Sequence, residues 1–337
     1  MGMIQRISSI GHNCQNIAAG SRWYAETLGF KELERKRFSG DWLGELLTLP
    51  SPTIDRCRLY LGQEILELWH FCLDGPAANK PTEGTRATSP AGNDAAFQHI
   101  CVVTSDLHRT FINGAYHSRQ ISSAPQRLPD WNPAAAGIWA VKFQDPDGYP
   151  LELLQFPAGK GNPRWHRVLP NGGISSQGIA QSDKSLCLGL DHTAISVEDM
   201  ERSLEFYGRI LGMTVTSQGH NHGPEQDGMD GLIGTDVLIS SLDPAGGGMG
   251  IELLNYRKPE GGRRPRANPK ASDRDDWRIG LVVDDLINLY QHIQREPLQT
   301  QLGPLVKVPN GFGPGQLACQ LRDPDGHALL LFADGNP

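Results

Sequence analysis

The sequence predicts an α+β chain of two tandem domains, each made of two copies of one small βαβββ module. Three observations predict it. A strand, an amphipathic helix and a Leu-Gly stop occur in the same order in both halves. A shorter strand followed by Asp-Leu also occurs once in each half. Finally, an Asp-Pro-Asp-Gly turn runs into a last apolar strand near the end of each half. A chain of 337 residues is long enough for two domains, each with a substantial core.

The elements follow in turn. Residues 190–213, LDHTAISVEDMERSLEFYGRILGM, alternate apolar and polar positions and then switch to helical spacing, ending at Leu211-Gly212. Residues 7–30, ISSIGHNCQNIAAGSRWYAETLGF, repeat this layout, and aligning Tyr24 with Tyr207 places Leu28-Gly29 on Leu211-Gly212 without a gap. The shorter copies are FQHICVVTSDLHRTF at 97–111 and DWRIGLVVDDLINLY at 276–290. Their ends repeat as DPDGYPLELLQF at 145–156 and DPDGHALLLF at 323–332, turn chemistry delivering the chain into a buried strand. Residues 158–189 are rich in Gly, Pro, Ser and Gln and read as a linker, so the expected domains are 4–157 and 190–334. Long loops at about 73–96, 122–138 and 255–275 have the length of lids or binding loops.

Composition narrows the function classes. A net charge of −7, from 31 basic and 38 acidic residues, is spread evenly apart from a basic cluster at Arg257–Arg266. That cluster lies among glycines and prolines and reads as a solvated loop, so neither a nucleic-acid partner nor a membrane surface is expected. No stretch of about 18 apolar residues occurs and no charged segment precedes an apolar run, which predicts a soluble, cytoplasmic protein. The six cysteines have no CxxC spacing, and buried thiols are expected rather than disulfides or a zinc site.

His192, Val197, Asp199, Ser203, Phe206, Tyr207, Leu211 and Gly212 together resemble the vicinal oxygen chelate superfamily of glyoxalases, bleomycin-resistance proteins and extradiol dioxygenases. The resemblance implies that modules pair into an open barrel-like cleft, each supplying two metal ligands, one from its first strand and one from its last. Those positions hold Ser9, Glu67, His99 and Glu152 in the first half, and His192, Glu252, Arg278 and Leu330 in the second. A metal site at Glu67, His99 and Glu152 is therefore expected in residues 4–157. A charged Glu in the inward register of a strand costs several kcal/mol unless a cation compensates it. The second half keeps His192 and Glu252 as candidate ligands, with Arg278 placed to repel a cation. His12 could replace the missing ligand at Ser9 only through a bulge, and His220, His222 and Glu225 read as pocket-lining or solvent-facing.

One His and two Glu suit a single divalent ion, whether Mn, Fe, Co, Zn or Mg. The resemblance implies that the ion is chelated by two adjacent oxygens of a small substrate and stabilises an enediolate, with Glu67 or Glu152 as the base. This is an isomerase, epimerase or lyase reading, with a hydroxyketone or cyclitol as the substrate type. Gln126, Arg127, Asp130, Trp131 and Asn132 are placed to cover the cleft and bind substrate, though Trp131 reads equally as a surface anchor. Two other functions compete: an extradiol-type ring-cleaving dioxygenase and a metal-free binding or resistance protein. Such proteins pair modules within a chain or between chains, so a homodimer also fits.

Overall fold

The structure, a computed structural model, describes residues 2–72, 90–113, 119–168, 174–175, 186–264, 268–297 and 300–335. Most of the loop at 73–96 and about half of the linker at 158–189 thus lie outside the described residues, as do the last two residues of the basic cluster.

Four modules follow one another. The first comprises β1 (Ile4–Asn13), α1 (Ile17–Leu28), β2 (Lys31–Ser39), α2 (Asp41–Leu47), β3 (Thr53–Leu61) and β4 (Glu64–Cys72). The second comprises β5 (Gln98–Thr104), α3 (Leu107–Asn113), β6 (Gln126–Arg127), β7 (Trp139–Gln144) and β8 (Pro150–Gln155). A short ladder of β9 (Arg167–Val168) and β10 (Ile174–Ser175) comes next. The third has β11 (Cys187–Ser196), α4 (Met200–Leu204) continuing as a π-helical segment Glu205–Ile210, β12 (Thr214–His222), α5 (Pro224–Asp230), β13 (Asp236–Asp243) and β14 (Gly250–Lys258). The fourth has β15 (Trp277–Val283), α6 (Leu286–Ile293), β16 (Gln301–Leu302), β17 (Val306–Lys307), β18 (Leu317–Arg322) and β19 (Ala328–Ala333).

The repeated sequence features do the same job in each copy. Asn16, Asp106, Asp199 and Asp285 each accept a backbone N–H three residues on, satisfying a donor that the first helical turn cannot pair itself. Gly29 and Gly212 stop the two longer helices at φ 77° and 75°, left-handed backbone that glycine adopts without strain. In the Asp-Pro-Asp-Gly turns, Asp145 and Asp323 accept the backbone N–H of Tyr149 (2.7 Å) and His327 (2.8 Å). Each also accepts a helix hydroxyl, Tyr24 on Asp145 (3.1 Å) and Tyr207 on Asp323 (2.9 Å).

The modules pair differently from the expectation. One sheet runs β16-β18-β19-β15-β1-β4-β3-β2 and the other β12-β13-β14-β11-β5-β8-β7-β6. The outer modules, first and fourth, share the first sheet, and the inner modules, second and third, share the second. The division into 4–157 and 190–334 therefore cuts across both sheets. The first strand of each module is an open edge that must find a partner. β1 pairs antiparallel with β15 and β5 with β11, so each junction crosses from one half to the other. A single apolar core joins the two sheets, drawing Tyr24, Ile100, Tyr207 and Leu281 from four different modules.

Each sheet curls around a concave face, and a short helix spans its mouth. α5 packs against β6, β7 and β12, bridging the edges of the inner sheet; α2 does the same for the outer sheet, against β2, β17 and β18.

Candidate metal centre

The four central strands of the inner sheet are β8, β5, β11 and β14. Their register sets Cys101 beside Glu152, Ala194 beside Glu252 and Ala194 opposite His99. Because side chains two apart on a strand share a face, His99, Glu152, His192 and Glu252 all point into the same concavity. These are the first-strand and last-strand positions of two modules, one from each half of the chain.

The geometry is close. His99 Nε2 lies 3.0 Å from Glu152 Oε2, and His192 Nε2 lies 3.7 Å from that same oxygen and 3.4 Å from Glu252 Oε2. One ligand atom each from His99, Glu152 and His192 falls within 4.8 Å of the others, the one such group among the described residues, and all three side chains are buried. Glu252 stands at the rim with its side chain 25% exposed, and Ser241 Oγ donates to its Oε1 (3.0 Å).

The residues fit a divalent cation. His192 Nε2 is buried between two carboxylates and makes no hydrogen bond, while its Nδ1 is held by Asp191 Oδ2 at 3.1 Å. A carboxylate on one ring nitrogen that leaves the other aimed at a shared centre is how histidine ligands are oriented. Two imidazoles and two carboxylates form a donor set suited to a borderline divalent ion.

Electrostatics agree. Burial would raise the pKa of Glu152, but His99, His192 and Lys142 outweigh it and hold the carboxyl well below the usual range. Burial pushes His99 down to about 4, against the pull of Glu152. For His192 burial works the same way, yet Glu252, Cys101 and Asp191 dominate and its pKa lies well above the ordinary value.

Glu67 does not join this group. It lies on β4 in the outer sheet, where Trp69 Nε1 donates to it (2.9 Å) and Arg58 and Arg56 pair with it at 3.2 and 3.6 Å. Arginine supplies the compensating charge that a metal was expected to provide. The equivalent positions of that sheet are Ser9, Glu67, Arg278 and Leu330. Arg278 stacks on Trp69, its carbon Cζ 4.2 Å from a ring centroid, and donates to Asn13 and Asp276. Phe38, Phe312, Leu330 and Phe332 fill the rest of the concavity.

The other expected site residues are dispersed. His12 is fully buried, 3.1 Å from the Tyr24 hydroxyl and 3.4 Å from Asp145, and serves the junction between modules. Arg127 and Asp130 pair with each other on the surface (2.9 Å). Trp131, 51% exposed, stacks on His222 with centroids 4.4 Å apart, and buried Asn132 bonds Asn221. His220 pairs with Asp236 (2.8 Å). The 128–132 segment thus latches onto the end of β12 and helps α5 cover the inner concavity. One group escaped the sequence reading altogether: Lys142, buried on β7, is held by Asp230 at 2.6 Å, with Tyr256 OH and Gln226 also donating to Asp230. Its sequence signal was an inward position in the alternation Ala140, Lys142, Gln144. The six cysteines are free thiols and five are buried.

The model of the Glyoxalase/Bleomycin resistance protein/Dioxygenase superfamily matches residues 6–153 and 189–331. The chain belongs to this superfamily. Among curated superfamily proteins, glyoxalase I of Saccharomyces cerevisiae is 24% identical over 218 residues, covering 60% of this chain and 56% of the yeast protein. This chain therefore aligns with little more than half of that relative. Glyoxalase I from Zea mays superimposes with a TM-score of 0.58 at 15% identity, covering 97% of this chain and 91% of that one. A putative dioxygenase from Bacillus subtilis gives 0.55 at 13% identity, covering 99% and 86%. At such identities these two structures establish the shared fold. Among the described residues no helix is long and apolar enough to cross a membrane.

Proposed function

We propose that this superfamily member is a metal-dependent isomerase or lyase acting on a small substrate with two adjacent oxygens, its centre formed by His99, Glu152, His192 and Glu252. The observation that carries the reading is the convergence of four module-equivalent ligand positions, two from each inner module, around one buried unbonded imidazole nitrogen. A divalent ion bound there supplies Lewis acidity where negative charge develops as the C–H bond beside a carbonyl breaks.

The chain's own groups divide the remaining work. Glu252 is the base: it is the ligand-position carboxylate with solvent access, and Ser241 holds its Oε1 while Oε2 is left to take the proton. Return of that proton to the neighbouring carbon gives isomerisation, and return to the opposite face gives epimerisation. Glu152, deeply buried with its carboxyl held well below the usual range, stays ionised as a ligand, and Glu67 lies in the outer sheet, so neither takes the base role. Asp191 fixes the His192 ring, and α5 with Trp131 and Asn132 screens the concavity from water. The substrate is a small molecule, with a hydroxyketone or cyclitol the closest chemical type.

The test is hydrogen exchange. Proton NMR in D2O should show loss of the C–H signal beside the carbonyl of a 2-hydroxyketone with Mn²⁺- or Zn²⁺-loaded protein, and Glu252→Gln should abolish it while metal is retained. Exchange undiminished in Glu252→Gln would refute the assignment. One observation favours a second reading: the tightest group, His99, His192 and Glu152, is two imidazoles and one carboxylate, a set that also suits Fe²⁺ in oxygenases. Oxygen uptake by the Fe²⁺-loaded protein with catechols, and none of the exchange, would support ring-cleaving dioxygenation instead.

A further inference from the structure

The segment joining the two halves reads from sequence as a linker, yet its described start folds against the candidate metal centre. Pro163–Trp165 forms a single 3-10 turn, capped by Asn162, whose side chain accepts the Arg164 N–H (3.0 Å). Trp165 is 4% exposed and packs with Cys101, Leu154 and Phe156 on the concave face of the inner sheet. Its Nε1 donates to Asp191 Oδ1 at 2.9 Å, while the other oxygen of that carboxylate meets His192 Nδ1. Asp191 is thereby gripped at both oxygens, and its rotation about the side-chain bonds is fixed from the side away from the metal.

The backbone beside it is gripped too. Arg164 lies over the Trp165 ring at 3.9 Å, donates to the Leu190 carbonyl (2.9 Å) and pairs with Glu64 Oε1 at 2.5 Å. Glu64 Oε2 in turn accepts the Leu190 N–H at 3.0 Å. Glu64 begins β4, in the module whose own concavity is filled by arginines and aromatics. Packing is tight enough that a Cβ at Gly189 would stand 3.0 Å from the Trp165 ring.

We propose that Trp165, backed by Arg164 and Glu64, is a positioning residue that sets the metal affinity of His192 through Asp191. The inference rests on the reading of the cluster as a metal centre. In physical terms, an imidazole whose far nitrogen is hydrogen-bonded to a fixed carboxylate is a more basic and better-aimed ligand, and removal of such partners costs about 10- to 100-fold in metal affinity. The linker and the first module thus tune a site to which they contribute no ligand.

Titration of the full chain with Co²⁺ alone, followed by visible ligand-field absorption and calorimetry, tests this directly. Asp191→Asn should weaken binding about 10- to 100-fold and shift the absorption bands. Trp165→Phe, which loses the donor but keeps most of the ring, should weaken it by a smaller factor, at least about threefold. Because Trp165 acts through Asp191, adding Trp165→Phe to Asp191→Asn should change affinity by less than about twofold, the signature of coupled residues. Retention of wild-type affinity and spectrum in Asp191→Asn or in Trp165→Phe would overturn the inference, as would the full Trp165→Phe effect persisting in the double variant. Should Trp165→Phe fail to fold, Arg164→Met, which removes the pairing with Glu64 that backs Trp165, is measured in its place and should weaken binding by at least about threefold, unchanged affinity overturning the inference. No Co²⁺ binding by the wild-type chain would overturn the metal centre and this inference together; binding with unchanged variants would overturn only the latter.

Discussion

Loading a divalent ion into the cluster at pH 7 should release one proton per chain, and the structure says which one. Without metal, Glu152 is ionised because its two histidines and Lys142 overcome burial. His99, pushed by burial to about 4, is already neutral at that pH and has no proton to give. His192 is the exception: Glu252, Cys101 and Asp191 outweigh its burial and keep it protonated well above its ordinary pKa. A cation can use Nε2 only after that proton leaves. Log affinity should therefore rise by about one unit per pH unit between roughly pH 5 and the raised pKa of His192, about 1.4 kcal/mol per unit. The upper bound is where His192 is already neutral, and the lower bound is where His99 begins to protonate and adds a second proton. Calorimetric titration with Zn²⁺ in two buffers of different ionisation enthalpy counts the protons. Release of none, or of two, at pH 7 would refute this assignment of protonation states.

Three further outcomes follow from the packing. Tyr24→Phe removes the hydroxyl that lies between His12 and Asp145, and urea unfolding should show a loss of about 1 to 3 kcal/mol from the buried polar groups it leaves. Lys142→Met breaks a fully buried ion pair and leaves Asp230 charged in the interior, so the same assay should give a loss of about 3 to 5 kcal/mol. Trp131→Ala, by contrast, removes a half-exposed ring that stacks on a surface histidine, and stability should change by less than about 0.5 kcal/mol.

Local structure was largely legible in the sequence. The Asp that opens a helix, the Leu-Gly that ends it and the Asp-Pro-Asp-Gly turn each act through the backbone within a few residues, so their meaning does not depend on the rest of the chain. The first-strand and last-strand positions His99, Glu152, His192 and Glu252 were named through the family resemblance, although the expected metal group was Glu67, His99 and Glu152 in the first half. Pairing of the modules was not legible. Ser9, His99, His192 and Arg278 stand on the first strands of four modules that look alike, and sequence proximity favoured joining each module to its neighbour in the same half. One clue was present: only the set His99, Glu152, His192 and Glu252 makes a complete ligand group, while Ser9, Glu67, Arg278 and Leu330 make none. Groups such as Asp191 and Trp165 act through contacts between distant segments, and spacing along the chain carries no trace of those; for Lys142 the alternation gave its inward position but not its partner Asp230.

Metal analysis of four variants tests the central claim, that the inner modules hold the catalytic ion. Protein incubated with Mn²⁺ or Zn²⁺ and then desalted should carry close to one ion per chain. Glu67→Ala should keep that ion, while Glu152→Ala, His99→Ala and His192→Ala should each lose it with the metal-free fold intact by circular dichroism. Loss of the ion in Glu67→Ala together with its retention in His192→Ala would contradict the account and return the site to the first half of the chain.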